Sequence, residues 1–192
     1  QLKFLGENEE GKVEFWIGLK NSLPSESFVK NPFLKDRVSL SPASEEFIVK
    51  VGSKIDLAQH VFYNDEVFGN SGHLPPQVGQ GTTYTVIWRL KSLYNDLRDV
   101  RVRAVLPANV NLTGQFFPRE AKFLFDSQSR EVVWEVGDLG QTMGETNLSF
   151  QVSLKPGTDN RGAAAEIVKA AKAAGDDAWI QEIVSADVVG VK

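Results

Sequence analysis

The chain has no cysteine, one methionine and two histidines among its 192 residues. Without cysteine there is no disulfide, no thiolate nucleophile and no zinc–sulfur centre. Nothing approaches the run of about 18 apolar residues that a membrane helix needs. No concentrated basic tract exists, and the formal net charge is −4. That balance argues against nucleic acid, because phosphate binding needs clustered cations. No signal peptide is legible, and the chain opens on Gln1 rather than Met. The expectation is therefore a chain cut from a longer parent. Cysteine usage does not fix the compartment.

What the chain does have is alternation. Its hydrophobic fraction of 42% is enough for a real core. Thr82–Leu90 places Tyr84, Val86, Trp88 and Leu90 on one side of a strand, since strand side chains repeat every two residues. The pattern returns in Val100/Val102/Ala104/Leu106, in Val132/Trp134/Val136 and in Leu148/Phe150/Val152/Leu154. Half-buried strands separated by turn residues predict an antiparallel β-sandwich. Tyr84, Val86, Trp88, Val102, Trp134, Phe150 and Val152 are its expected core. Arg101 and Arg103 fall out of phase with Val100 and Val102, so they read as the solvent face of that strand.

Elsewhere, Arg37–Leu40, Glu46–Val51, Lys54–Tyr63 and Val110–Phe117 read as strands. Ala121–Phe125 and Glu131–Val136 form a hairpin about Asp126-Ser127-Gln128-Ser129. Asn64–His73 is a polar loop. Residues 163–174 are alanine-rich and bounded by Gly162 and Gly175. Local propensity makes them a helix, followed by a strand at Trp179–Ser185.

The N-terminal region carries a separate signal. Val13, Phe15, Ile17 and Leu19 alternate, and Trp16 falls on the polar side, exposed or used at an interface. The segment reads as an assembly strand that either folds back on its own chain or completes a neighbouring subunit's sheet. The expected division is a partial β-domain with linker over 1–53 and a sandwich over 54–192.

Several strings together carry a family likeness. They are Gly81–Val86, Asn95–Val102, Leu106-Pro107-Ala108-Asn109-Val110, Val133–Leu139 and Leu148-Ser149-Phe150-Gln151-Val152. In this order the chain resembles the "conserved repeat" Ig-like domains of bacterial and archaeal cell-surface proteins. With Val61–Asp65, Leu74–Gly79 and Phe125–Arg130 added, it is similar to multi-domain surface proteins of candidate-phyla bacteria. The likeness covers roughly residues 54–192. It implies an all-β Ig-like fold, an extracellular setting and no reaction. It also implies that the alanine-rich tail is a β-hairpin turning about Gly175-Asp176-Asp177, against the local propensity.

Chemistry is thin by comparison. His60 lies in a strand and His73 in a loop, with no serine elbow and no metal-ligand spacing. Asp65, Asp159, Asp176 and Asp177 sit in oxygen-rich loops. Calcium takes about 6–8 oxygens, so these aspartates are its candidates, but no Asp-x-Asp-x-Asp-Gly run is present. Plain Asx turns are the simpler reading of them. Asn111-Leu112-Thr113 and Asn147-Leu148-Ser149 are formal glycosylation triplets. The expected function is a non-catalytic structural module of a surface filament, stalk or surface layer, joined to copies of itself or to neighbouring repeats. The alternative is an Ig-like module that binds a glycan or a host surface.

Overall fold

A computed structural model describes residues 30–40, 43–140 and 145–192, with residues 7, 11, 12, 14, 16 and 18. The described residues form eleven strands. They are β1 (Phe33–Leu40), β2 (Ala43–Lys50), β3 (Ile55–Phe62), β4 (Thr82–Ser92), β5 (Leu97–Val105), β6 (Val110–Phe117), β7 (Lys122–Asp126), β8 (Glu131–Leu139), β9 (Glu145–Leu154), β10 (Ala171–Asp177) and β11 (Glu182–Val188). One 3-10 turn spans Thr158–Asn160. Among the described residues no helix is long and apolar enough to cross a membrane.

The strands form three antiparallel sheets. β3-β4-β9-β6 make a four-stranded sheet, β11-β10-β5-β8-β7 a five-stranded one, and β1-β2 stand apart as a hairpin. Apart from β8-β7, the two larger sheets follow the A-B-E-D and G-F-C order of an immunoglobulin sandwich. The β7–β8 hairpin is inserted beside the C-like strand β5. The fold is all-β and Ig-like.

Alternation builds the core directly. Val86, Trp88, Leu90, Val100, Val102, Val132, Leu148, Phe150 and Val152 are fully buried, with Tyr84 and Trp134 nearly so. Trp88 and Phe150 meet edge to face at 5.0 Å, and Phe123 stacks on Phe150 at 4.9 Å. Such pairs add about 0.5–1.5 kcal/mol beyond area burial. Arg101 and Arg103 lie on the opposite face and reach Glu135 and Glu131 on β8.

The alanine-rich tail differs from its local propensity. Residues 163–174 are not a helix; β10 begins at Ala171 and pairs with both β5 and β11. Ala171, Ala173 and Gly175 face inward and are buried. Small side chains there suit a core already filled by tryptophan and phenylalanine. Gly175 permits close approach, since a Cβ there would lie 2.7 Å from Val100 Cγ2. Two flanking ladders satisfy the backbone of β10 and override a weak preference. The turn is also displaced from Gly175-Asp176-Asp177. All three residues belong to β10, and the chain reverses at residues 178–181, with Gln181 at φ 62°. Trp179 therefore sits in the turn, and the last strand starts at Glu182 rather than Trp179.

Candidate interaction surfaces and the end of the sandwich

The polar loop after β3 folds onto the outer face of the four-stranded sheet. Thr85 and Gln151 are buried there. Gln151 donates to Asn70 Oδ1 at 3.0 Å, and the Asn70 amide reaches Thr85 and the Tyr63 carbonyl at 2.9 Å. Asp65 accepts the Thr85 hydroxyl and the Val67 and Phe68 amides. Gly72 closes the loop at φ 109°, where a Cβ would stand 2.7 Å from the Gly81 carbonyl. No side chain fits that position.

A second buried network joins the chain leaving β2 to the far end of the sandwich. Asp177 is fully buried. Its Oδ2 accepts the Ser53 amide at 2.6 Å and the Asn95 side-chain amide at 2.7 Å, and its Oδ1 accepts the Trp179 amide at 2.8 Å. Asn95 also donates to the Val51 carbonyl at 3.0 Å, while its Oδ1 is buried without a partner among the described residues. Trp179 completes the junction. Its indole N–H donates to Pro32 O at 3.0 Å, Lys50 donates to its carbonyl at 2.9 Å, and the Lys50 ammonium lies 4.4 Å from its ring centroid. Residue type reads Trp179 as the start of a strand and not as this junction, because both its partners lie more than a hundred positions away.

The four aspartates suggested for calcium are dispersed. Asp65 and Asp177 hold the N–H and O–H groups just described, and Asp159 follows Gly157 in the 3-10 turn. Asp176 pairs across strands with Ile183 and Arg98. Among the described residues, no three His, Asp or Glu side chains gather in a way that could hold a metal ion. His60 is exposed on β3 and His73 is exposed in the following loop.

Of the assembly-strand residues, Val13, Phe15, Ile17 and Leu19 lie outside the described set. Trp16 is described and is 86% exposed. The β1–β2 hairpin also shows apolar side chains to solvent, with Phe33, Phe47, Ile48 and Val49 each at least half exposed. Register puts Leu34 across from Val49 and Asp36 across from Phe47. One face therefore groups Leu34, Val38, Phe47 and Val49. Among the described residues, neither outer edge of this hairpin pairs with another strand.

At the other end of β3 lies a cavity of about 570 Å³. Val61, Tyr63, Tyr84 and Leu154 form one side, Pro75, Pro76 and Val78 another, and residues 160–165 a third. Its walls are tied together. Gly79 donates to Pro156 O at 2.9 Å, and the Tyr63 hydroxyl donates to Gly72 O at 2.9 Å. Tyr84 is 8% exposed and meets Tyr63 ring edge to ring face at 5.9 Å. Burial, then the neighbouring Tyr63, pushes the Tyr84 phenol above its ordinary pKa. At the opposite extreme, Asp126 in the β7–β8 turn is held below its ordinary pKa. The Gln128 amide and then the Ser129 hydroxyl and amide bond its carboxylate.

No protein-family model and no curated protein matches the chain. Solved structures do. The chain is similar to BcpA, the major pilin subunit of Bacillus cereus, with 12% identity over 81% of this chain and 50% of that one, and a TM-score of 0.45. It is similar to the full-length major pilin SpaD of Corynebacterium diphtheriae, with 12% identity over 76% of this chain and 42% of that one, and a TM-score of 0.46. The RrgA Jo.In complex matches at 9% identity over 70% of this chain and 76% of that one, and a TM-score of 0.39. The chain thus spans about half the length of the two pilins.

Proposed function

We propose that this chain is a non-catalytic structural module of an extracellular, cell-surface assembly, and that it joins copies of itself or neighbouring repeats. The joining element is the segment Val13–Leu19, which adds as a strand to a neighbour. The observation that carries this reading is the β1–β2 hairpin. A two-stranded sheet alone is marginal in water. This one shows Phe33, Phe47, Ile48 and Val49 to solvent, and unpaired strand edges are templates for another strand. Its bulk consists of framework, with an aromatic and aliphatic interior and cross-strand ion pairs on the face of β5 and β8. The ordered likeness to surface-protein repeats points the same way.

Truncation tests it. The full chain should self-associate in a concentration-dependent way in sedimentation velocity and show linear particles by electron microscopy. A chain lacking residues 1–22 should stay monomeric with an unchanged far-ultraviolet spectrum. Equal assembly of the truncated chain would remove the N-terminal segment from the role.

A further inference from the structure

We propose that the cavity at the end of β3 is a binding site for a small organic carboxylate, a molecule with an aromatic or aliphatic body and one anionic end. The inference goes beyond the structural role above and does not depend on self-association. Three observations carry it. First, the walls suit an apolar body. Tyr63, Tyr84, Pro75, Pro76 and Leu154 line a space of about 570 Å³, within the roughly 300–1,000 Å³ of sites that enclose a small organic ligand. Proline and tyrosine present flat, stiff faces, which offer contact area at little cost in side-chain entropy.

Second, the side-chain charge lining it has one sign. Arg161 and Lys192 line the cavity, and no aspartate or glutamate does. Both are exposed, and neither forms an ion pair among the described residues. A smaller cavity of about 380 Å³ beside Trp134 differs in this respect. There Arg101 and Lys122 are offset by Asp99, Glu120 and Glu135, and Arg101 already faces Glu135. Third, the larger site is built before a ligand arrives. Gly79 donates to Pro156 O at 2.9 Å, tying the proline wall to the chain after β9. Ile167 donates to Val191 O at 2.8 Å and Val191 to Val168 O at 2.9 Å, which seats the segment ending at Lys192. The Tyr84 hydroxyl makes no hydrogen bond to a described residue and is not sealed from solvent. Burial keeps that phenol protonated, so it stands as a donor at the cavity wall. A preformed apolar site with a few polar groups loses little order on binding.

The two kinds of group divide the work. An exposed cation contributes little attraction by itself. Beside apolar walls that exclude water, a hydrogen bond to a charged group is worth more. The apolar body therefore supplies affinity, and the cations select the sign of the charge.

Isothermal titration calorimetry on the full 192-residue chain tests this. Phenylbutyrate should bind about 10-fold more tightly than phenylbutanol, and phenylbutylamine more weakly than either. Two variants altered at exposed positions locate the effect. Arg161→Gln with Lys192→Gln should bind acid and alcohol equally, with the alcohol affinity unchanged, which a misfolded chain would not do. Ala164→Trp fills the cavity from its rim and should bind neither, with an unchanged far-ultraviolet spectrum. Equal affinity of the wild type for acid and alcohol, or a preference that survives in the double variant, would overturn the anionic class. Binding by Ala164→Trp at wild-type strength would overturn the cavity as the site, and so would a wild type that takes up no phenylbutyrate at millimolar concentration. None of these outcomes bears on the truncation result, so the two readings fail separately.

Discussion

Gln59 is the polar residue at which the two sheets are stitched. It sits on β3 in phase with Ile55 and Leu57 and is 5% exposed. Its Oε1 accepts the Trp88 indole N–H at 2.7 Å, and its amide reaches Lys169 O at 3.1 Å and Val189 O at 3.2 Å. Gln59→Leu keeps the volume, leaves the buried Trp88 indole N–H without its acceptor and leaves two part-buried carbonyls without a donor. A buried group left unpaired costs about 1–3 kcal/mol, so a loss of about 2 kcal/mol is expected in urea unfolding. A loss under about 1 kcal/mol would mean that the indole N–H finds another acceptor. The inward position of Gln59 follows from alternation alone. Its partners do not, because the two carbonyls lie far along the chain and become neighbours only when the sandwich closes. Asp177 illustrates the same limit: it reads as one of several acidic loop residues, and its four amide donors come from segments 52–95 and 179–180.

At the scale of the element, β10 sets local preference against sheet demand. Alanine favours helix by a few tenths of a kcal/mol per residue over β-branched residues. The strand gains two ladders and a place for small side chains against a large aromatic core. A synthetic peptide of residues 161–177 should therefore show helical circular dichroism in trifluoroethanol, while the intact chain shows a β spectrum. A peptide that stays unordered there would mean that propensity never opposed the strand. Gly175→Leu should cost about 1–3 kcal/mol as overpacking against Val100, read by thermal melting. The nine strands β1 to β9, with clear alternation or turn boundaries, are legible from residue type. The alanine tail is not, because what its inward positions meet, such as Val100 of β5 against Gly175, lies far away along the chain. There a family likeness reads the hairpin that periodicity misses, although its turn falls a few residues later.

For the whole molecule, the sandwich and the β1–β2 hairpin meet through a few specific contacts. Trp179, Lys50 and Pro32 form the outer part, and Asp177, Ser53 and Asn95 the buried part. Trp179→Ala removes the outer part and keeps the core strands. Amides of residues 33–50 should then exchange with solvent at least about 10-fold faster, with the exchange of β4 and β9 unchanged. Equal slowing or speeding in both regions would mean that hairpin and sandwich open as one cooperative unit.

That uneven attachment has a mechanical consequence. Tension between the N-terminal region and the body of the sandwich would load an indole, an ammonium and one carboxylate long before it reached the paired backbones of β4 and β9. The junction would act as a fuse, yielding first and paying out the hairpin as slack while the folded body stayed intact.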